Sequence, residues 1–415
     1  MSLPSLRTDQ AASLLGTGAM RAVRPRSVAN DSAAVPAGRD LRLDMFRGIA
    51  LVMIFINHVP GTVYETLTSR NFGFSDAAEA FVFMSGMAAG LAYSNGFRAG
   101  PLWLAVARVW ARARQLYFVH ITITMLCLAI FAAAALWFNL PEVMQRNNVT
   151  AIYGKPLATL IGIPILGHQL GYLNILPLYT VLLLATPPLL MIGLRRPYLL
   201  LGLSVALWAV AGQFRFNIPS FPNSGGWFFN PFSWQLLFVV GLLSGAAMKV
   251  GKRFIPYHRV LFGLAAAFLV LVLLWVKVPP LGGLGRAGLT WLSSIGAPFY
   301  ITWFDKTFLA LPRLLHALAL FYVLGHLPVM RTIAGSVFAA PFRLLGRQGL
   351  AVFATGTVIS MFLQVVKTPR QPDPLFDGLI LGAGLLALLA LAWMLDRTAQ
   401  LKTSARTGAA TALRK

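Results

Sequence analysis

The apolar positions of this chain fall into ten long runs, separated by polar, glycine-rich or proline-rich segments. The runs approach the roughly 20 apolar residues that an α-helix needs to cross a bilayer, and they are too long for strands. We therefore expect an all-α, polytopic integral membrane helix bundle of about ten transmembrane helices. The predicted spans are residues 41–62, 76–96, 114–138, 172–193, 198–213, 233–249, 258–276, 312–328, 345–366 and 375–396.

The segments outside these runs predict the domain organisation. Residues 1–38 are rich in alanine, serine and arginine and contain no apolar run, which predicts a disordered basic cytoplasmic tail rather than a signal peptide. The transmembrane domain is expected over residues 39–396, followed by a second basic cytoplasmic tail over 397–415. The glycine-rich stretch 281–304 contains tryptophan and tyrosine, which is typical of a re-entrant or interfacial segment.

Composition excludes several other classes of protein. Of the 415 residues, 57% are hydrophobic and only 11% are charged, whereas ordinary globular proteins have about 25% charged residues. Disordered, collagen-like and disulfide-rich chains are excluded on the same grounds. The single cysteine, Cys127, allows no internal disulfide and no cysteine-based metal site. The histidines lack metal-ligand spacing, so no metal site is expected.

The net charge of +23 would suggest a nucleic-acid partner in a soluble protein. Most of the basic residues, however, lie between the predicted spans, in segments that a single topology places in the cytoplasm together with both termini. The positive charge is therefore attributed to membrane topology. We expect the lipid bilayer as a partner and no nucleic acid.

The first span contains the densest set of polar groups, in the segment RDLRLDMFRGIALVMIFINHVPG. Ionisable groups in a membrane cost roughly 2.5–3.5 kcal/mol each and are functional candidates by default. Arg47 and His58 lie within about 20° on one helix face and about 16 Å apart along its axis. Asp44 is three residues before Arg47, and Asn57 precedes His58. Alternatively, Asp44 and Arg47 form an interfacial ion pair, and His58 bonds a neighbouring carbonyl group.

The second span begins with GFSDAAEAFVFMSG, in which Asp76 and Glu79 are neighbours on one helical face. If the first span exits outward, these carboxylates lie at the depth of His58. A carboxylate beside an imidazole raises its basicity and fixes its tautomer, as a general base requires. Which of the two would pair with His58 stays open. Alternatively, Ser75 caps the helix and the acidic pair complements the helix dipole.

Two further sets of polar residues lie near the predicted outer boundary. Asp305 and Lys306 precede the eighth span, where they form either a local ion pair or substrate contacts. Asn230, Trp234 and Gln235 lie in FNPFSWQLLF, which indicates either an interfacial aromatic belt or a surface on which a sugar stacks.

Several segments together resemble a known family. RDLRLDMFRGIALVMIFINH, GFSDAAEAFVFMSG, LNILPLYTVLL, FNPFSWQLLF and DKTFLALPRLLHALAL resemble, in this order, the OpgC-type proteins of osmoregulated periplasmic glucan biosynthesis. The similarity extends from about Arg39 to Asp396. The spacing of Arg47 and His58 is similar to the Arg-x10-His signature of the membrane acyltransferase-3 superfamily.

This resemblance implies a succinyltransferase of the bacterial inner membrane. Such an enzyme takes succinyl groups from a cytoplasmic acyl-CoA, here succinyl-CoA, as co-substrate, and esterifies hydroxyl groups of a periplasmic glucan acceptor. No tightly bound cofactor is expected. The signature arginine and histidine correspond to Arg47 and His58. The motifs do not determine the identity of the acyl group.

The expected mechanism assigns a role to each end of the first span. Arg47, beside Asp44, binds the phosphates of the donor. His58 removes the proton of the acceptor hydroxyl, assisted by a carboxylate from the second span, and Asn57 is an oxyanion donor.

The alternative function is a membrane transporter or flippase for a glycan or other anionic substrate. That class predicts paired discontinuous helices in two repeat-related halves, with coupling acids near the midplane. This chain instead concentrates its acids near the predicted outer end. A structural or receptor role would leave the polar face of the first span unexplained.

Overall fold

Residues 40–412 are described in a computed structural model, with side chains to residue 402, and this part of the chain contains helices but no strand. The α-helices are α1 (Leu41–Asn57), α2 (Ala77–Ala99), α3 (Leu102–Trp137), α4 (Thr150–Gly154), α5 (Pro156–Gly162), α6 (Ile175–Arg195), α7 (Pro197–Gln213), α8 (Pro231–Met248), α9 (Arg259–Lys277), α10 (Pro279–Ser294), α11 (Phe299–Thr302), α12 (Leu311–His326), α13 (Val329–Gly335), α14 (Ala340–Arg347), α15 (Gly349–Lys367) and α16 (Pro374–Ala412). Short 3-10 helices cover Val63–Leu67, Ser69–Asn71 and Pro141–Gln145.

The predicted all-α membrane architecture is confirmed, but ten crossing helices are not. Each predicted span contains one helix, yet within the described residues only six are long and apolar enough to cross a membrane, namely α3, α6, α8, α9, α15 and α16. Helices α12 and α13, which are bent by 77° at the break between them, count as a seventh span if the pair crosses as one unit. Helices α1 and α7 are only 17 residues long, because polar segments end their apolar runs early.

Helix α1 is positioned by a close crossing with α14. The Asp40 carboxylate accepts a 2.9 Å hydrogen bond from the Arg42 backbone N–H and so caps the start of α1. At the crossing, a methyl group added to Gly48 would overlap the carbonyl of Phe342. The two backbones therefore touch, and α14 lies directly against the amino-terminal half of α1.

The most extensive helix packing joins α2 to α8. A methyl group at Gly86 of α2 would overlap the carbonyl of Phe238, and one at Gly241 of α8 would overlap the carbonyl of Phe83. Small residues at such crossings let helix backbones approach within a membrane, where packing rather than hydrophobicity drives association. Helix α8 is thereby enclosed by protein, whereas α9 buries only two side chains and presents its apolar surface outward.

The structure bears differently on three expectations about the segments outside the predicted spans. Residues 281–304, predicted as re-entrant or interfacial, form most of α10 and all of α11. The basic tail predicted from residue 397 is helical as far as Ala412, because α16 continues beyond its apolar part. The tail predicted over residues 1–38 lies outside the described residues.

Candidate active site

His58 lies at the carboxyl end of α1, with its imidazole half-buried. Its backbone N–H donates to the Ile54 carbonyl (2.9 Å), so the residue is held by the last turn of the helix. The imidazole ring centroid lies 5.0 Å from that of Tyr172. Among residues 40–402, no hydrogen bond or ion pair involves the imidazole nitrogens. The ring borders a small, mainly apolar cavity between α1, α15 and α16, lined by residues such as Leu51, Phe55, Phe353, Thr357 and Leu388.

A buried amide fixes the backbone of His58. The Nε2 atom of Gln364 on α15 donates to the His58 carbonyl at 2.7 Å, and Oε1 of Gln364 accepts from Nδ2 of Asn147 at 2.8 Å. Gln364 is 4% exposed. Gln364 was not among the predicted site residues, although an amide inside the predicted span 345–366 was an available signal.

The acidic pair at the start of α2 contacts cations from distant segments instead of His58. Nζ of Lys306 lies 2.5 Å from Oδ2 of Asp76, and Nη2 of Arg313 lies 2.6 Å from Oε1 of Glu79. Within the described residues, neither carboxylate forms an ion pair with His58. The predicted carboxylate–imidazole contact is therefore not formed, because two cations that precede or begin α12 occupy the carboxylates.

The same two carboxylates also cap α2. Asp76 accepts from the Ala78 N–H at 2.8 Å, and Glu79 accepts from the Asp76 N–H at 2.9 Å, which completes a capping box. Burial raises the pKa of Asp76, but the charges of Lys306 and Arg313 outweigh this effect and hold that pKa below its ordinary value.

Ser75, considered as the cap, makes a different contact. Its hydroxyl lies 2.7 Å from Nδ1 of His316, and its backbone N–H donates to the same nitrogen at 3.3 Å. Because Nδ1 accepts from a backbone N–H, the Ser75 hydroxyl is the donor in the shorter bond. The pair attaches the chain before α2 to α12, which also carries Arg313.

Arg47 and Asp44 lie together near the amino-terminal end of α1. Nη1 of Arg47 lies 3.8 Å from Oδ1 of Asp44 and donates to the Gly346 carbonyl of α14 at 3.5 Å. Asp44 is buried, whereas the Arg47 side chain is 21% exposed. The ion pair that was one of the two interpretations is thus present, and its guanidinium reaches the surface at the junction of α1 and α14.

The residues of FNPFSWQLLF hold neighbouring loops and helices together. Trp234 is fully buried and its Nε1 donates to the Lys306 carbonyl at 2.9 Å. Asn230 caps α8. Gln235 accepts a 2.5 Å hydrogen bond from the Ser204 hydroxyl of α7. In these positions the three side chains form neither an exposed aromatic belt nor an open surface for a sugar.

Asp305 and Lys306 do not form the local ion pair that was one alternative. The Asp305 carboxylate accepts from the Phe308 N–H at 2.7 Å, while Lys306 pairs with Asp76. Arg313, the second cation of this cluster, was not among the predicted site residues. It could have been found as a guanidinium inside the predicted span 312–328, because an ionisable group there needs a partner.

Together, these contacts place two kinds of chemistry at separate points along α1. At its carboxyl end, His58 presents a half-buried imidazole beside the ring of Tyr172. About 16 Å back along the helix, Arg47 presents a guanidinium whose side chain is 21% exposed. An imidazole of this kind accepts and returns a proton, and a guanidinium binds phosphate or carboxylate. Within residues 40–402, no group of three or more His, Cys, Asp or Glu side chains is placed to hold a metal ion.

A family model described as OpgC protein matches residues 39–400, which is nearly the whole chain. No curated protein matches the chain.

Proposed function

Since this chain belongs to the OpgC family, and is therefore a glucan-modifying membrane protein, we propose that it is an acyl-CoA-dependent O-acyltransferase. It transfers a succinyl group from cytoplasmic succinyl-CoA to hydroxyl groups of a periplasmic glucan. One observation carries the proposal: α1 holds an anion-binding guanidinium near one end and a half-buried imidazole at the other. In this proposal the protein lies in the bacterial inner membrane with both termini in the cytoplasm.

The donor binds at the Arg47 end of α1. A guanidinium donates to phosphate oxygens in a bidentate manner, and Asp44 at 3.8 Å orients it from the buried side. Arg347 of α14 lies at the same end of the bundle, where it pairs with Asp396 at 3.2 Å. We assign these two guanidinium groups to the nucleotide part of acyl-CoA, while the thioester arm extends along α1 towards His58.

Acyl transfer takes place at the His58 end of α1. His58 removes the proton from an acceptor hydroxyl, whose oxygen attacks the thioester carbonyl carbon. The carbon–sulfur bond then breaks, the acyl group remains on the sugar oxygen as an ester, and the CoA thiolate takes up the proton. Oδ1 of Asn57 lies 2.8 Å from the Thr68 hydroxyl oxygen, and we assign the amide N–H groups of Asn57 to the oxyanion.

The acidic pair positions charges around His58 rather than contacting it. Asp76 and Lys306 act on the imidazole in opposite directions, because the carboxylate favours its protonated form and the ammonium group disfavours it. Glu79 fixes the arrangement of both groups through Arg313. Asp76 and Glu79 are therefore positioning residues.

Among the residues predicted to bind the acceptor, we assign direct contact to Lys306, whose side chain is 27% exposed beside Asp76. Asp305, Asn230, Trp234 and Gln235 hold the segments that surround it.

The test is an assay of the purified full-length protein with labelled acyl-CoA donors and a panel of glucans, in which the mass of the product is measured. Succinyl-CoA is expected to give a glucan that gains one succinyl group per modified hydroxyl. His58→Ala should abolish most of the product, whereas the matched control His258→Ala, at the exposed start of α9, should retain it. Glucan that moves across a vesicle membrane without gaining mass would favour a transporter or flippase instead.

A further inference from the structure

Tyr172 is the aromatic side chain in ring contact with His58. The two ring centroids are 5.0 Å apart and the planes are inclined by 58°. Tyr172 is half-buried. By contrast, Trp234, the aromatic residue considered above for sugar contact, is fully buried.

The backbone of Tyr172 has an unfavourable conformation. Its φ of 69° lies in the left-handed region, which bulky side chains rarely adopt. Asn147 and Asn148 have similar φ values of 55° and 64°, but asparagine tolerates them well. Such a conformation persists in a bulky residue only where the surroundings impose it, and it occurs preferentially at ligand sites.

The residues around Tyr172 impose this left-handed backbone conformation. Leu170 and Leu173, on either side, are fully buried and anchor the segment. The Gly171 N–H donates to the Asn147 carbonyl at 2.9 Å, and a Cβ atom on Gly171 would lie 2.9 Å from Oδ1 of Asn147. The tight fit thus requires glycine before Tyr172.

The same network also holds His58. The Asn147 amide donates to Gln364, which donates to the His58 carbonyl. One chain of hydrogen bonds therefore fixes the catalytic candidate and the aromatic ring beside it in a constant relationship. A preorganised pair of this kind is suited to holding a ligand against the imidazole.

We propose that Tyr172 is an acceptor-contacting residue on which a sugar ring of the glucan lies while one of its hydroxyls reaches His58. This inference rests on the proposed function, because it assigns the wall of the acceptor site. An aromatic ring offers an apolar face to the C–H groups of a sugar, and its phenol group remains polar at the edge. The strain at Tyr172 is the cost of holding its ring against the imidazole of His58.

The test compares Tyr172→Leu, Tyr172→Asn and Tyr172→Phe in the full-length protein with succinyl-CoA and glucan. Tyr172→Leu should raise the acceptor KM about tenfold, the loss expected for one aromatic contact, and leave the donor KM unchanged. Tyr172→Phe keeps the ring and should restore the acceptor KM. Tyr172→Asn should raise the acceptor KM as Leu does, yet melt at the same or a higher temperature, since asparagine tolerates the left-handed backbone.

The outcomes separate this inference from the proposed function. Tyr153→Leu, at an exposed tyrosine of α4, is the matched control and should behave as the parent. If the parent protein makes no acylated glucan, the proposed function fails. If it does, an unchanged acceptor KM in Tyr172→Leu overturns the inference. The inference is also overturned if Tyr172→Phe raises the acceptor KM as much as Tyr172→Leu does. It is likewise overturned if Tyr172→Asn melts at a lower temperature and has a higher KM for both the donor and the acceptor.

Discussion

Glu79 accepts two hydrogen bonds from Arg313 through Oε1, from Nε at 2.8 Å and from Nη2 at 2.6 Å. The residues are 234 positions apart in the chain, and their side chains are 1% and 12% exposed. This pair, in which two guanidinium N–H groups donate to one carboxylate oxygen, joins the first turn of α2 to the first turn of α12. Arg313 also lies 3.3 Å from Asp76, which pairs with Lys306, so the same contact fixes the place of both residues.

Breaking this pair on one side should strongly destabilise the protein. Arg313→Met leaves Glu79 buried without its cation, and we expect a loss of about 3–5 kcal/mol in the free energy of unfolding. The double variant Arg313→Met/Glu79→Gln should lose less than the single one, because no unpaired charge remains. Chemical denaturation in detergent measures both. Arg70→Met, at a pair whose arginine is 47% exposed, is the control and should cost less than about 1 kcal/mol. Equal losses at the two pairs would contradict a structural role for Arg313.

Arg47→Ala should weaken binding of acyl-CoA more than binding of the glucan, since the guanidinium–phosphate hydrogen bonds are lost. Titration of each substrate against the purified protein measures the difference. Arg253→Ala, in the exposed segment after α8, should leave both affinities unchanged. If the donor affinity of a folded Arg47→Ala protein equals that of the parent, Arg47 serves only as the ion-pair partner of Asp44.

His58→Ala should lower turnover by about 10²–10⁴-fold, the usual contribution of a general base, while donor binding is retained. Asp76→Asn should cost less, because the imidazole remains although the nearby charge that stabilises its protonated form is lost. The double variant should be little worse than His58→Ala, since residues that act as a unit are not additive. Steady-state kinetics at equal amounts of folded protein test this, and parental turnover in His58→Ala would make His58 a packing residue.

Gly241→Val should lower stability by about 1–3 kcal/mol, because its side chain has no room beside the Phe83 carbonyl. The matched control is Gly263→Val on α9, where nothing lies within 4 Å of an added Cβ atom. Thermal unfolding of the two variants in the same detergent measures the difference. Comparable melting temperatures would mean that α2 and α8 separate easily.

Single cysteines at Gln145 and Gly283 should react with a membrane-impermeant reagent in intact spheroplasts, because the predicted topology places both outside. A cysteine at Lys252, in the exposed segment between α8 and α9, should react only after lysis. Cys127 is 0% exposed and contributes little background. The reverse labelling pattern would overturn the topology.

The sequence alone determined where the main apolar helices lie, although α3 begins 12 residues before its predicted span and α16 continues 16 residues beyond its own. Long apolar runs form helices because a bilayer leaves no other way to satisfy backbone hydrogen bonds. The spacing of Arg47 and His58 is likewise a local property, because both belong to one short helix and its last turn. For this reason the residue pattern already indicated a guanidinium and an imidazole about 16 Å apart along α1, and the resemblance led to the family whose model matches residues 39–400.

Only the tertiary structure decided which side chains meet. Glu79 and Asp76 were expected to lie beside His58, because the predicted topology places them at the same depth, yet Arg313 and Lys306 reach them from α12 and the segment before it. Trp234 was a candidate for sugar contact, but it is fully buried with its indole N–H bonded to the Lys306 carbonyl. Tyr172 instead lies beside His58, from a distant loop. Which side chains from distant segments meet depends on how the helices cross. A crossing is set by close contacts between glycines and carbonyls hundreds of residues apart, which no local pattern contains.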